Sequence, residues 1–105
     1  MSPLEVDRWL KTEKPPFLLD VRYSEEHALA ALPGSVLIPL HELPQRWREI
    51  EKWQDRPVVV YCHHGIRSRH AAGFLNQCGF TSVENLDGGI DAWSMEVDSS
   101  VPRYS

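Results

Sequence analysis

The sequence predicts a single α/β domain with a parallel β-sheet and helices on both faces of that sheet. Short apolar runs that suit buried strands alternate along the chain with segments that carry helical spacing or helix-capping residues. Strands that alternate with helices favour a parallel sheet, because each connecting helix packs on one of its faces. The 105 residues can bury one hydrophobic core, so we expect one domain over residues 1–105.

The first strand is expected to follow an amino-terminal helix. Ser2 to Glu5 has the pattern of a helix start: a serine cap, a proline in the first turn and a glutamate that can reach back to the cap. This helix must end before Pro15 and Pro16, because proline cannot continue it. Phe17–Val21 is an apolar run that ends in polar groups, which predicts a buried strand.

The next stretch predicts two more helices on either side of a short strand. Ser24 is placed to cap a helix over Glu25–Leu32, and Val36–Ile38 reads as the second strand. His41–Trp53 is predicted to be helical, because its large apolar residues are spaced to share one face.

The second half continues the alternation. Val58–Tyr61 is predicted to be the central strand, and the helix that follows its loop should run to about Gln77 before Gly79 ends it. Val83–Leu86 predicts a fourth strand, and a glycine-rich turn leads into a last helix over Ile90–Met95.

Composition and charge exclude several classes of function. The formal charge is −4 and no cluster of Lys and Arg dominates, so nucleic acid is not expected as a partner. No apolar run approaches the length that spans a bilayer, so no membrane association is expected. Cys62 and Cys78 are too few for a disulfide scaffold and suit a reducing compartment, which predicts a cytoplasmic protein. Nothing implies a metal or an organic cofactor.

The most informative segment is the loop from Cys62 to Ser68, which lies between a predicted strand and a predicted helix. The first N–H groups of a helix lack partners inside the helix and carry partial positive charge. A tight loop that enters such a helix can gather further N–H groups around one point and bind an anion. A cysteine at that point should ionise more readily than an ordinary thiol, so we interpret Cys62 as a nucleophile in an anion-binding loop.

Four separated groups of residues resemble the rhodanese family, in the family's order. They are Leu18-Leu19-Asp20-Val21-Arg22 with Glu26-His27, Leu32 to Pro39, Val59 to Ser68 with Ala71-Ala72, and Leu86 to Trp93. The resemblance implies the three-layer rhodanese-like α/β fold, with a four- to five-stranded parallel sheet. Such domains often begin with an extra short strand, and only Met1 and Ser2 precede the first helix here, so the sequence leaves open whether that strand is present.

The resemblance also implies a reaction, that of a thiosulfate sulfurtransferase. Rhodaneses take a sulfane sulfur from a small donor such as thiosulfate onto the loop cysteine, and pass it from this persulfide to cyanide or a thiol. By analogy Cys62 is the catalytic nucleophile. The implied substrate-binding residues are those of the rest of the loop: His63, His64, Gly65, Ile66, Arg67 and Ser68. Gly65 would let the backbone bend inward, and Arg67 would bind an oxyanion of the donor.

Several of these residues have a structural alternative. Arg67 could instead pair with a carboxylate. His63 and His64 invite a metal site, but side chains on adjacent loop residues are expected to diverge, so we expect them to line the entrance or face solvent. Asp20 and Arg22 end a central strand, where α/β sheets bind ligands, yet an ion pair that ties loops together is the interpretation we favour. Cys78 is expected to pack in the core.

Two other functions remain open from the sequence. Cysteine phosphatases of the same fold carry five residues between cysteine and arginine, whereas only four separate Cys62 from Arg67 here. The shorter loop should suit a single sulfur better than a phosphate. The other alternative is a non-catalytic rhodanese-like binding module, but such modules often lack the cysteine that this chain retains.

The carboxyl end carries a further resemblance. The residues from Gly88 to Asp98, and then Val101-Pro102-Arg103-Tyr104, are similar to the ends of rhodanese domains fused to adenylating enzymes of the ThiF/MoeB type. Those domains deliver sulfur to ubiquitin-like carrier proteins, which implies a sulfur-carrier protein as an acceptor. The sequence does not decide whether the chain acts alone or belongs to a longer protein.

Overall fold

The computed structural model describes all residues, 1–105, and confirms the parallel α/β architecture. Four strands form one sheet in the order β2-β1-β3-β4, and every neighbouring pair is parallel. The strands are β1 (Phe17–Asp20), β2 (Val36–Leu37), β3 (Val58–Tyr61) and β4 (Val83–Asn85).

Five α-helices accompany the sheet. They are α1 (Pro3–Leu10), α2 (Ser24–Leu29), α3 (Leu43–Arg46), α4 (Ile66–Gln77) and α5 (Gly89–Glu96), with 3₁₀ turns at Leu40–Glu42 and Trp47–Trp53. The predicted start of α1 is confirmed, because Ser2 and Glu5 exchange hydrogen bonds between side chain and backbone in both directions. None of the helices combines the length and the apolar character needed to cross a lipid bilayer.

The third predicted helix is wrong in detail. Instead of one helix over His41–Trp53, the chain forms a 3₁₀ turn, one turn of α-helix and a second 3₁₀ segment. Pro44 lies in the first turn of α3, where its missing N–H is tolerated, and a helix cannot continue through it from the amino side. Ile50 then leaves helical geometry (φ −115°, ψ 16°) while its side chain stays buried in the core.

The second helix also differs from the prediction at both ends. Ser24 is its first residue rather than its cap, and Tyr23 takes the cap position. The helix ends at Leu29 rather than Leu32, since Ala30 is already extended. Leu32 precedes a proline, and the residue before a proline avoids helical geometry, so Leu32 stays outside the helix. The N–H of Leu32 donates instead to the hydroxyl of Tyr61 (3.1 Å).

The sheet has four strands, and Met1 lies beside its β4 edge. The amino group of Met1 donates to the carbonyl of Asn85 (3.1 Å), and its own carbonyl accepts from the N–H of Asp87 (2.9 Å). One residue therefore pairs with this edge where an additional strand would lie.

Alternation along the strands divides the core into two layers. Leu19, Val58, Val60 and Cys62 face the layer formed with α3 and α4, whereas Leu18, Val59 and Tyr61 face the layer formed with α1 and α5. Because successive side chains of a strand point to opposite faces, Cys62 continues the row of Val58 and Val60. Its thiol is thereby directed toward the start of α4.

The strand order fixes where a ligand can bind. From β1 the chain first adds β2 on one side, and then crosses to the other side to add β3. Parallel sheets bind ligands at such a reversal, outside the carboxyl ends of the two strands. Asp20 ends β1 and Cys62 follows the last residue of β3, so both lie at this position.

Arg22 and Asp20 form a fully buried ion pair next to that position. The guanidinium of Arg22 donates to both carboxylate oxygens of Asp20 (2.9 and 2.7 Å), and the N–H of Arg22 donates to the same carboxylate (3.0 Å). Neither side chain has solvent exposure. Arg22 also donates to the carbonyl of Ala30 (2.6 Å), which ties the end of β1 to the end of α2.

Replacing Arg22 by Met should destabilise the fold by about 3–5 kcal/mol, because the carboxylate of Asp20 would stay buried without its partner. The free energy of unfolding from urea titration measures this. Arg48→Met is the matched control, since that side chain is 77% exposed and pairs with Glu51 only at the surface. An equal, small effect of both substitutions would contradict the structural importance of the buried pair.

Candidate functional site

The thiol of Cys62 lies at the centre of the loop, with 1% of the residue exposed. The backbone N–H groups of Gly65 and Ser68 donate to its Sγ at 3.1 and 3.3 Å. Gly65 adopts φ +101° and precedes α4, which turns the loop inward and lets the first N–H groups of the helix converge. The anion-binding arrangement expected from the sequence is therefore present around this sulfur.

The start of α5 orients the peptide groups of the loop. The N–H of Ile90 donates to the carbonyl of Cys62 (2.8 Å), and the N–H of Asp91 donates to the carbonyl of His63 (3.1 Å). These carbonyls therefore point toward α5. Gly89 (φ +64°) permits the close approach, because a Cβ at this position would overlap both carbonyl oxygens.

Ser68 and Asn85 complete the surroundings of the sulfur. The hydroxyl of Ser68 lies 3.4 Å from Sγ of Cys62 and donates to the side-chain carbonyl of Asn85. The amide of Asn85 in turn donates to the carbonyl of Gly65 (3.4 Å). Asn85, the last residue of β4, therefore contacts both Gly65 and Ser68 and stabilises the turn between them.

Arg67 lies at the second position of α4 and pairs with Glu26 of α2. Its two terminal nitrogens donate to the two carboxylate oxygens at 2.7 and 2.8 Å, a bidentate pair between residues far apart in sequence. These hydrogen bonds from Arg67 lower the pKa of Glu26 to about 2, and the hydroxyl of Tyr104 contributes to the shift. About a third of the Arg67 side chain remains exposed. The structural alternative stated above, pairing with a carboxylate, is thus present in this structure.

The expectation that His63 and His64 diverge is wrong. Their rings lie 3.9 Å apart between centroids, and the ring of Tyr104 stacks on His63, also at 3.9 Å and at an angle of 11°. The ring of Tyr104 covers one face of the His63 ring, which is half-buried. Burial lowers the pKa of His63, and the neighbouring His64 lowers it further. No group of three or more His, Cys, Asp or Glu side chains is arranged to hold a metal.

The remaining sequence candidates surround the loop or lie apart from it. Ile66 is 67% exposed at the first position of α4. Asp20 and Arg22 form the buried pair already described, and Asp20 also contacts Nδ1 of His27 (2.7 Å). Cys78 packs against the core layer that contains Cys62, and burial raises the pKa of its thiol.

Sequence reasoning missed the roles of Glu26, Asn85 and Tyr104. Their partners lie 41, 17 and 78 residues away along the chain for the Glu26–Arg67, Asn85–Ser68 and Tyr104–Glu26 contacts. Glu26 follows the first strand in the motif that resembles rhodaneses, and this was the one signal that could have marked it. Tyr104 belongs to the carboxyl-terminal segment that resembles rhodanese domains fused to adenylating enzymes, but that resemblance gave no contact with the loop, and Asn85 carries no local pattern that indicates a function.

The largest groove of the molecule lies away from this site. It has a volume of about 860 Å³, and its lining includes apolar residues such as Phe17 and Trp93 together with the charged residues Asp7 and Lys11. Phe17 begins β1, so the groove is near the amino ends of the strands, and none of its lining residues belongs to the loop. The loop around Cys62 is therefore separate from this groove.

Comparison with known proteins assigns this arrangement to a family. The model of the rhodanese-like domain matches residues 2–96. A sulfurtransferase of Allochromatium vinosum is 44% identical over 77 residues, which are 73% of this chain and 70% of the relative. The adenylyltransferase and sulfurtransferase MOCS3 of Arabidopsis thaliana is 30% identical and aligns with 99% of this chain, which spans only 25% of that protein.

Solved structures show the same fold. A rhodanese-like domain protein from Staphylococcus aureus superposes with a TM-score of 0.81 and 26% identity, covering 100% of this chain and 97% of the other. The human single-domain sulfurtransferase TSTD1 gives a TM-score of 0.78 and 25% identity, covering 91% and 95%.

Gly89→Ala should disrupt the loop. Its positive φ disfavours any side chain, and the new Cβ would push against the carbonyls of Cys62 and His63, so we expect a loss of about 3 kcal/mol or more in the free energy of unfolding. Gly34→Ala is the matched control: it has a similar φ of +78° but open space around the new Cβ. That change should cost about 1–2 kcal/mol from φ alone. Equal losses in both variants would mean that the contact with the loop is unimportant.

The Glu26–Arg67 pair should make stability depend on pH at the acid side. The pKa of Glu26 is lowered in the folded state from its ordinary value of 4.5 to about 2. The pair therefore stabilises the fold fully above pH 4.5 and loses this contribution as the pH falls from about 4.5 to about 2.

Glu26→Gln tests this by removing the carboxylate. Wild type should exceed the variant in its urea midpoint at pH 7, and the difference should shrink as the pH is lowered below 4.5. Glu25→Gln serves as the control, since that carboxylate contacts only Ser24 at the surface. A difference between wild type and Glu26→Gln that stayed constant with pH would contradict the assignment.

Proposed function

Because the chain belongs to the rhodanese-like domain family, we propose that it is a sulfurtransferase that carries a sulfane sulfur as a persulfide on Cys62. The family match and the sulfurtransferases among its relatives support sulfur transfer as the class of activity. Thiosulfate as donor, and cyanide or a thiol as acceptor, are our finer proposal. The two free cysteines suit a reducing compartment, and we propose the cytoplasm as the location.

One observation supports this proposal above all: the buried Sγ of Cys62 accepts two backbone N–H groups, from Gly65 and Ser68. Backbone donors at about 3 Å favour negative charge on the sulfur, and they need no reorganisation when that charge forms. A persulfide is also an anion, and the same loop can bind its outer sulfur.

The reaction we propose has two displacement steps. The thiolate of Cys62 attacks the sulfane sulfur of thiosulfate; a new S–S bond forms, and the bond to the sulfonate sulfur breaks, so that sulfite leaves with the electron pair. A nucleophilic acceptor then attacks the outer sulfur of the persulfide. This second step returns the thiolate and gives thiocyanate when the acceptor is cyanide.

The other loop residues would bind the donor. Gly65 and Ser68 hold the sulfur, and the exposed part of Arg67 presents positive charge to the sulfonate oxygens while Glu26 fixes the guanidinium. His63, His64 and Ile66 line the entrance. Arg67 would then have both roles, pairing with a carboxylate and binding the donor. Its two terminal nitrogens pair with Glu26, and about a third of its side chain stays exposed.

A protein acceptor is part of the same proposal. The chain aligns over 99% of its length with MOCS3, an adenylyltransferase and sulfurtransferase, including the carboxyl end that the sequence analysis compared with such enzymes. A sulfur-carrier protein that presents an activated carboxyl terminus is therefore a proposed acceptor beside small thiols. Pull-down with the persulfidated protein tests this, and rapid turnover of small thiols without any captured protein would contradict it.

Two alternatives are weaker. A cysteine phosphatase is disfavoured by the four-residue spacing between Cys62 and Arg67, since the shorter loop should suit a single sulfur better than a phosphate. A non-catalytic binding module is disfavoured because the loop retains a cysteine with two backbone donors directed at its sulfur.

Incubation with thiosulfate should add the mass of one sulfur atom to the intact protein, and added cyanide should remove it as thiocyanate. Mass spectrometry of the intact protein follows both steps. Cys62→Ser should show no gain, because the serine hydroxyl cannot form the persulfide, whereas Cys78→Ser should behave as wild type.

The same preparations separate the alternatives. Hydrolysis of p-nitrophenyl phosphate by wild type, lost in Cys62→Ser, would favour the phosphatase. If the protein gained no sulfur from thiosulfate or other sulfane donors and hydrolysed no phosphate ester, the binding module would become the better interpretation.

A further inference from the structure

Tyr104 contacts three parts of the site, although it lies far from the loop in sequence. We propose that Tyr104 is a positioning residue for sulfur transfer, which holds His63 and the Glu26–Arg67 pair in place beside Cys62. The inference rests on the proposed function, since it concerns how the donor is bound there.

The hydroxyl of Tyr104 joins two ion pairs. It donates to Oε2 of Glu26 (2.6 Å) and accepts from Nη1 of Arg22 (2.9 Å). These directions follow from chemistry, because a carboxylate can only accept and a guanidinium can only donate. Glu26 thus receives the hydroxyl in addition to the two hydrogen bonds from Arg67. The buried Asp20–Arg22 pair is thereby connected to the arginine of the loop.

The ring of Tyr104 fixes the first residue after the nucleophile. His63 lies between the rings of Tyr104 and His64, with centroids 3.9 Å away in both directions. Such stacking stabilises the position of the ring beyond what its burial alone provides. Since His63 directly follows Cys62, Tyr104 holds in place a ring that we propose to line the entrance to the sulfur.

The segment that carries Tyr104 is attached to the same helix that orients the loop. The hydroxyl of Ser94 donates to the carbonyl of Val101 (2.6 Å), and Arg103 pairs with Asp91 (2.9 and 3.3 Å). Ser94 and Asp91 belong to α5, and the N–H of Asp91 also donates to His63. One helix therefore sets the position of Tyr104 and of the loop together.

Loss of the Tyr104 side chain should weaken donor binding more than the chemical step. Glu26 would lose one of its hydrogen bonds and His63 one of its stacking partners, so the guanidinium of Arg67 would be held less firmly. The N–H groups of Gly65 and Ser68 donate to Sγ of Cys62, whereas the hydroxyl of Tyr104 is hydrogen-bonded to Arg22 and Glu26. The expected signature is a raised KM for thiosulfate with a nearly unchanged kcat.

Steady-state transfer from thiosulfate to cyanide measures this signature. Tyr104→Ala should raise KM about tenfold, with kcat within about twofold of wild type, because a hydrogen bond to a charged group and a ring stack are lost together. Tyr104→Phe keeps the stack and should raise KM less, about threefold. Tyr23→Phe is the matched control: its hydroxyl makes no hydrogen bond, its side chain is exposed, and its KM should equal that of wild type.

A second measurement does not depend on sulfur transfer. The rates at which iodoacetate and iodoacetamide alkylate Cys62, followed by mass spectrometry of its peptide, compare an anionic with a neutral probe of similar size. Tyr104→Ala should lower the iodoacetate-to-iodoacetamide rate ratio at least about threefold, while Tyr23→Phe leaves it unchanged.

The outcomes distinguish the inference from the proposed function. Absence of sulfur uptake by wild type would refute the proposed sulfurtransferase activity. The alkylation ratio would still test whether Tyr104 positions the charged groups beside Cys62. If Tyr104→Ala kept the wild-type ratio, or kept the wild-type KM while only its thermal stability fell, Tyr104 would be a purely structural residue and the inference would be overturned.

Discussion

The hydrogen bonds from the start of α5 to the carbonyls of Cys62 and His63 are the constraint on which the site depends. A peptide group has its N–H and its carbonyl on opposite sides, so directing these carbonyls toward α5 turns the N–H groups of His63 and His64 away from that helix. Gly89 allows the helix to come this close. The conformation of the loop thus depends on how a helix from the carboxyl end of the domain packs against it, while the donors to the sulfur are the N–H groups of Gly65 and Ser68.

The sheet and the neighbouring charged side chains also help to position the cysteine loop. The alternation of side chains along β3 directs Cys62 into the core layer that contains α4. The strand order reverses between β1 and β3, and such a reversal is where parallel sheets bind ligands. Beside the loop, the neutral hydroxyl of Tyr104 joins two ion pairs, Asp20–Arg22 and Glu26–Arg67. Each buried charge is compensated by its neighbours. Arg67 can therefore lie beside the loop without leaving a buried charge unpaired.

Local patterns predicted the parts of this molecule that local physics determines. The strand Val58–Tyr61, the cysteine loop and the end of α4 at Gln77 agree with the sequence analysis, because each depends on residues within one turn or one strand. The Glu26–Arg67 pair could not be predicted with the same ease, since its partners are 41 residues apart and meet only in the folded sheet. The stacking of His63 between two rings was likewise unpredictable, because it depends on the distant residue Tyr104. The apolar spacing of His41–Trp53 suggested one continuous helix, but Pro44 prevents a helix from continuing through it.

The amide protons of Gly65 and Ser68 report most directly on whether the loop holds the transferred sulfur. In ¹⁵N-labelled protein treated with thiosulfate, both resonances should shift as sulfur is loaded onto Cys62 and return when cyanide removes it. The amide of Gly73, farther along α4, should not move. If sulfur were loaded and the resonances of Gly65 and Ser68 stayed unchanged, the backbone of the loop would not be what binds it, and the central claim would be wrong.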